Sequence, residues 1–556
     1  MEKPAATHVD EHVDSVIPTS VRLDDDVLAR MVQDIDNFAG LTENAAAATA
    51  FEKKLTVAQA LRMYPKAAFF SVVLSTAIIM EGFDTALLIN FMAYPQFQKR
   101  FGVPVGDGTY QLTAPWQSGL SAGGQVGQIL GLWAAGIAAE RWGYKKTMIV
   151  SLVLMIGAIF IMFFAQSIEM LLVGEIICGF PWGAFQTLTT TYAADITPVA
   201  LRPYLTTFVN MSWVIGGLIA TGVIRGLVDR TDDDWGWRIP YAIQWVWPVP
   251  IIVGILLAPE SPWWLVRNDR IEETKRVLRR LVSPEHTDYN IENHIAMMVY
   301  TNAHEKSVSA GTSYKDCFRG VDLRRTEVTC CVWLLQVTCG LAFGGNVTYF
   351  LEQAGFDPTN AFSFGLGTNG LALLGTLSSW WALRFVGRRT LYLWGLVIMF
   401  FILIIVGFLG IPESTPAIGY ASGALMMIFV ATYDVTVGPV CYCLVAELPS
   451  TRLRIKTVAL ARNVYNIAGI VCTFFNNPIL NPTAWNLRGK GGFVWCGFTL
   501  GSIVWVYFRL PEPKGLTPGE IDVLFENKVP ARKFDKVKAD EFRSAGLDPR
   551  AGIKKV

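Results

Sequence analysis

The sequence predicts an all-α membrane protein of about twelve transmembrane helices in two six-helix bundles. Three observations carry this. Apolar stretches of about 20 residues, each long enough to cross a bilayer, recur along most of the 556 residues. Charged residues make up 17% of the chain, against roughly 25% in soluble domains. A polar break at residues 259–325 divides the stretches six and six. The apolar runs are continuous rather than alternating, which argues against a β-barrel.

In chain order, residues 1–65 are polar and of mixed charge. They are expected to form a poorly ordered cytosolic tail, and no cleavable signal peptide is visible there. The N-terminal bundle covers 66–258, with spans at 66–92, 116–138, 145–165, 168–192, 201–225 and 239–258. The linker at 259–325 holds a charged helical stretch from Arg267 to Leu281 and is expected to carry amphipathic helices in the cytosol. The C-terminal bundle covers 326–509, with spans at 326–351, 361–384, 390–410, 416–444, 455–478 and 492–509. Residues 510–556 form a C-terminal cytosolic tail. Arg141, Lys145, Lys146, Arg202, Arg384, Arg388, Arg389, Arg452, Arg454 and Lys456 fall in short loops on one side. The positive-inside rule then places both termini in the cytosol.

Composition also narrows function. The net charge is +1 and no basic tract stands out, so no nucleic-acid partner is expected. The nine cysteines are an odd number, and most lie inside apolar runs. That fits core packing rather than disulfides or a metal site. All five histidines precede residue 305 and lie outside the spans. No catalytic constellation is present, so an enzyme is not expected. No phosphate-binding loop of the Walker type is present either, which disfavours ATP-driven transport.

The chemistry-bearing residues stand out against the apolar background. Asp84 sits in the run Met80-Glu81-Gly82-Phe83-Asp84-Thr85 of the first span. An acid at the bilayer centre costs roughly 2.5–3.5 kcal/mol on insertion scales and is functional by default. Glu81 lies one turn earlier on the same face. Two acids in one apolar helix point to a protein that moves something across a membrane with a proton.

A weak internal repeat links the halves. Gly143-Tyr144-Lys145-Lys146 follows the second span, and Gly387-Arg388-Arg389 follows the eighth. Asp195 and Arg202 follow the fourth span at the same spacing as Glu447 and Arg454 after the tenth. Glycine permits the tight turn and the bases complement helix C-termini.

These motifs resemble the sugar porters of the major facilitator superfamily, and within them the fungal α-glucoside (maltose-type) proton symporters. The resemblance covers roughly residues 60–526. It rests on Gly82-Phe83-Asp84-Thr85, Pro259-Glu260-Ser261-Pro262-Trp263-Trp264-Leu265 and Leu510-Pro511-Glu512-Pro513-Lys514-Gly515. Cys178-Gly179-Phe180-Pro181-Trp182-Gly183 and Thr348-Tyr349-Phe350-Leu351-Glu352-Gln353 point to the α-glucoside branch. It implies the major facilitator fold, a sugar substrate, a proton as coupling ion with no other cofactor, and a monomer in the plasma membrane.

The resemblance also implies site residues. Asp84 matches the proton-coupling acid of family symporters. Glu175 stands where bacterial relatives place a pairing arginine, so Glu81, Asp84 and Glu175 are expected to form one protonatable cluster that titrates as a unit. Asn210, Gln336, Asn346, Asn369, Asp434, Tyr442, Asn463 and Asn466 are the expected sugar contacts, since hydroxyls pair with amides and apolar sugar faces stack on rings. Glu140, Arg141, Lys146, Asp195, Arg202, Glu260, Arg388, Arg389, Glu447, Arg454 and Glu512 are expected to form a cytosolic gate of ion pairs between the bundles. Two alternatives remain open. Leu341-Ala342-Phe343-Gly344-Gly345-Asn346 is more apolar than in maltose permeases, which admits a porter or facilitator for another polyhydroxylated compound or specialised metabolite. A non-transporting sugar sensor is the other, although the tail after Arg509 is short for one.

Overall fold

The computed structural model describes residues 20–21, 38–106, 109–228, 234–283, 289–308, 313–353, 356–412, 415–450, 453–481, 484–485 and 487–539. Twelve long helical segments run through it. In order they are Pro65–Phe91, Ala114–Trp142, Tyr144–Phe163, Ile168–Ile196, Arg202–Leu227, Trp235–Leu257, Gly320–Gln353, Pro358–Phe385, Arg388–Leu409, Ala417–Glu447, Arg454–Leu480 and Gly491–Arg509. Among the described residues, ten helices are long and apolar enough to cross a membrane. The second and eighth segments fall outside that group because Gly, Ser, Thr and Gln dilute them.

The dilution has a structural reason. Without a hydrophobic drive between helices in lipid, packing favours small residues that let backbones meet. The second and fourth spans touch backbone to backbone: a Cβ on Gly127 would lie 1.9 Å from the Ile176 carbonyl, and one on Gly179 2.2 Å from the Gly124 carbonyl. The first and fifth spans meet likewise through Gly82 and Gly216.

The two halves repeat one packing plan. In the first, span one packs on five, two on four and three on six. In the second, seven packs on eleven, eight on ten and nine on twelve. The halves meet where two crosses eleven and where five crosses eight. Each contact maps onto its counterpart when six spans are added, as an internally repeated transporter requires.

Spans seven and ten are interrupted at mid-depth. Span seven stops at Thr338, turns through Gly340 at φ 94°, and resumes as Val347–Gln353. Span ten breaks at Thr436 between Pro416–Val435 and Val437–Glu447. Irregular backbone at this depth is tolerated where it lines a cavity.

The linker, the terminal helices and the loops between spans two and three, four and five, eight and nine, and ten and eleven gather at one end, here termed the linker face. Three linker helices, Pro262–Arg267, Ile271–Leu281 and Ile291–Val308, lie there. Span seven begins at Gly320, earlier than the expected 326, because Arg325 is buried in an ion pair with Asp522 of the C-terminal segment. The N-terminal tail departs from the expected poor order over residues 38–63. Phe38–Lys54 is a helix packed along Ile291–Val308, and Val57–Met63 follows it with a capping box at Thr56. Ala45 and Ala48 are buried, and Glu52 meets His294 at 3.6 Å. Burial holds the His294 imidazole below its ordinary pKa, with Glu52 opposing. Small side chains permit this docking, which a hydropathy reading does not register. Residues 1–19 and 22–37 of that tail lie outside the described residues.

The Gly179 contact generates a test. Gly179→Val puts three carbons where a carbonyl already sits, and overpacking of this kind costs about 1–3 kcal/mol or more. The purified variant in detergent is expected to melt several degrees lower or to lose its monodisperse peak, whereas Gly157→Val, which faces open space, leaves both unchanged.

Candidate transport site

A cavity of about 330 Å³ lies between the halves. Its walls come from spans one, two, four and five and their counterparts seven, eight, ten and eleven. Spans three, six, nine and twelve contribute none of its described lining residues, and instead present large apolar side chains such as Phe160, Leu256, Phe401 and Phe508 outward.

The three expected acids are all buried and all line this cavity, but they divide into two groups. Asp84 and Glu175 are close electrostatic neighbours within the first half, each with one buried carboxyl oxygen that finds no hydrogen-bond donor among the described residues. Gln244 donates to Asp84 Oδ1, and Tyr241 lies against Glu175. Glu81 lies one turn away from them. It accepts from Gln186 and, at 3.4 Å, from Gln128, and it faces Arg462 Nη2 of span eleven at 3.9 Å. The single cluster expected from sequence is therefore an acid pair plus a separate ion pair across the halves. The two acids share one helix face but sit one turn apart along it, so Glu81 is level with Gln186, Gln128 and Arg462, and Asp84 with Gln244 and Glu175.

Arg462 was not anticipated. It donates through Nε to Gln186 and is stacked between Trp333 and Tyr465, whose ring centroids lie 4.3 and 3.9 Å from its guanidinium carbon. The signal was available: a cation within the eleventh span stands out by the same argument as Asp84. Gln186 and Gln244 carry no such signal, because amides in membrane helices are common.

Of the expected sugar contacts, Asn210, Gln336, Asn346, Asn369, Asp434 and Tyr442 line the cavity. Most are already engaged. Asn210 Nδ2 donates to Asp434 Oδ1 at 3.1 Å and Thr376 Oγ1 at 3.4 Å, bridging the halves. Asn369 bridges them to Thr221 at 3.1 Å, and Gln336 donates to the Gly438 carbonyl at 3.0 Å beside the break in span ten. Asn346 donates to Ala342 at 2.7 Å. Tyr442 packs edge-on to Trp333 at 4.9 Å. Asn463 and Asn466 depart from expectation. They are buried off the cavity wall, and their amides find no partner among the described residues. Each is next along the chain to a lining residue, Arg462 or Tyr465, so about 100° of helix separates it from the wall.

The expected gate residues do two different jobs. Two contacts cross the halves: Arg454 to Asp195 at 2.9 Å, and Lys456 to Glu140 at 3.1 Å. Asp195 also accepts from Tyr144 at 3.0 Å and Ser261 at 2.7 Å, and Arg267 lies 3.9 Å from it. Glu260, Arg388, Arg389, Glu447 and Glu512 work within one half, which corrects the expected set. Glu260 accepts the Tyr144 and Lys145 backbone N–H groups at the start of span three. Glu512 accepts those of Arg388 and Arg389 at the start of span nine. These are helix N-terminal caps, repeated once per half. Burial pushes both carboxyls up, and the backbone donors oppose it. Arg388 pairs with Glu447 at 3.2 Å inside the second half. Arg202 is buried nearby, and Arg141 and Lys146 stay exposed.

Comparison with known proteins agrees with this arrangement. The family model described as "Sugar (and other) transporter" matches residues 70–525. The maltose permease MAL61 of Saccharomyces cerevisiae is 40% identical over 509 residues, 90% of this chain and 83% of that one. A general alpha-glucoside permease of the same species is 39% identical over 514 residues, 92% and 83% of the two chains. In fold, the chain is similar to the proton:xylose symporter XylE bound to 6-bromo-6-deoxy-D-glucose, with a TM-score of 0.70 at 18% identity, over 83% of this chain and all of that one. It is also similar to the inward-open form of XylE from E. coli, with a TM-score of 0.61 at 17% identity, over 82% and 99% of the two chains. The chain is a multi-pass membrane protein of the major facilitator fold, and it belongs to the sugar transporter family.

Proposed function

We propose that this chain imports an α-glucoside such as maltose together with a proton, by alternating access between its two halves. The observation that carries the proposal is the contact of Asp84 with Glu175 on the cavity wall. Two carboxyl groups buried side by side are stable only when one of them holds a proton. Loss of that proton leaves two like charges in contact and drives them apart. The pair thus ties proton occupancy to the packing of spans one and four. Glu81, Gln186 and Arg462 extend the link across the cavity to span eleven, so that packing bears on how the halves meet. Sugar binding to Asn210 and Asn369 competes with their bonds across the same seam. Proton and sugar therefore act on one equilibrium, which is what coupled binding requires.

The linker face is the cytosolic one in this reading, since it carries the basic loops and both terminal helices. The chain acts as a monomer in the plasma membrane. A second reading, another polyhydroxylated compound, is favoured by the apolar stretch Leu341–Gly345, much of which lines the cavity. A panel of labelled sugars and polyols at two pH values, in cells lacking their own permeases, separates the two.

Two outcomes are expected. Wild-type accumulation of labelled maltose falls as external pH rises from 5 to 7. Asp84→Asn loses that dependence and lowers the accumulation ratio by about 5–150-fold, the usual range of coupling energies. Unchanged pH dependence in the variant would sink the role of Asp84. Arg454→Gln leaves Asp195 buried without its cross-half cation, at a cost of about 3–5 kcal/mol to the closed linker face. Cys443 lies on that seam, 3.7 Å from Thr206 of span five, and it should become reactive to a membrane-permeant maleimide in the variant. Peptide mapping reads this out, and equal labelling of both proteins would remove the ion pair from the gate.

A further inference from the structure

Hydrogen-bonding capacity is unevenly spent around the cavity. The central amides Asn210, Gln336 and Asn369 are occupied by protein partners. On the wall where span two crosses span eleven, Ser121, Gln125 and Thr473 make no hydrogen bond among the described residues. Gln125 Oε1 is buried there without a partner. That acceptor calls for a donor, because an unpaired buried acceptor costs far more than a paired one, and the half-buried Ser121 and Thr473 hydroxyls beside it are open to the same occupant.

The wall is built for reach as well as polarity. Ser121 and Gln125 are four residues apart and share one helix face. Tyr465, Gly469 and Thr473 form the matching stripe on span eleven, and all three line the cavity. From Tyr465 to Thr473 is eight residues, about 12 Å of helix, roughly the length of two linked pyranose rings. Gly469 makes the wall possible: a Cβ there would lie 2.6 Å from the Gln125 amide nitrogen. Tyr465 supplies a ring face at the central end, and the hydroxyls and amide follow toward the face opposite the linker.

We propose that Ser121, Gln125 and Thr473 form a second saccharide subsite, which holds the distal ring of an α-glucoside while the central amides hold the first, with Gly469 setting its width. The proposal rests on the sugar-porter reading above and adds why the chain takes a two-ring substrate. A monosaccharide glycoside fills only the central part and leaves the wall to water.

Uptake of labelled maltose and labelled methyl α-glucoside by the full-length protein, in cells lacking their own permeases, tests it. Gln125→Ala is expected to raise the maltose KM about tenfold, the size of one or two neutral hydrogen bonds, and to leave the methyl α-glucoside KM within about twofold. Gly469→Ala is expected to give the same split by displacing the amide. Thr473→Val keeps the side-chain shape and gives the same readout if Gln125→Ala fails to reach the membrane, which a fluorescent C-terminal fusion reports. Equal changes for both sugars, or none for either, overturn the subsite. Wild-type uptake of methyl α-glucoside without maltose overturns the subsite and leaves the porter standing. Uptake of neither overturns both.

Discussion

The constraint on which this molecule depends is that charge inside a bilayer must be answered by charge or by hydrogen bonds. Glu81 and Arg462 answer one another across the seam, with Gln186 bonded to both. Arg462 is further held between two aromatic rings, where its charge gains from their π faces as well as from the acid. Remove the cation, and a buried carboxylate remains among apolar helices. Remove the acid, and a guanidinium is left against Trp333 and Tyr465 with one amide for company. Glu81 has Gln186 and Gln128 of its own half, but Arg462 finds its acceptor and its acid only across the seam, which ties the halves together at the depth of the cavity.

The same constraint explains the division of labour among the spans. Spans three, six, nine and twelve carry large apolar side chains outward and leave the described cavity wall to the other eight. The glycines that bring spans two and four into backbone contact make the first half a rigid body. Glu260 and Glu512 then pin the linker-side loop of each half to the start of its third span by the same pair of backbone bonds. Halves capped in the same way can move as units, which the rocking of one against the other requires.

How much of this was legible follows from what lipid makes conspicuous. The spans, their division into halves, and Asp84, Glu81 and Glu175 could be read because acids and long apolar runs are extreme features in sequence. Arg462 was equally legible, since a cation among Leu460, Ala461, Val464 and Tyr465 breaks an apolar face. The pairing of the acids was not, because it depends on which neighbour each turn of span one meets. Asn463 and Asn466 were misplaced for the same reason: an amide in a helix has no sequence mark that separates cavity from helix contact. The helix at Phe38–Lys54 was missed because its alanines form no strong apolar stripe, and the surface it covers is supplied by the linker.

The two mouths of the cavity are closed by different chemistry, and that difference bears on how the halves move. At the linker face the seam is ionic, through Asp195 with Arg454 and Glu140 with Lys456. At the other face amides and hydroxyls carry much of the contact: Asn477 donates to Ser118 at 3.1 Å, Asn481 to Gln117 at 3.5 Å and Arg225 to the Ser363 hydroxyl at 3.3 Å. Opening an ionic seam releases charges that water solvates strongly, so the lost attraction is largely offset. Opening an amide seam exchanges one neutral hydrogen bond for another with water, at a net cost of about 0.5–1.5 kcal/mol each. Both mouths are thus cheap to open relative to the gross strength of their contacts. A transporter whose two closed seams differ in kind but little in net cost sits near balance, where a binding free energy of a few kcal/mol is enough to decide which mouth is shut.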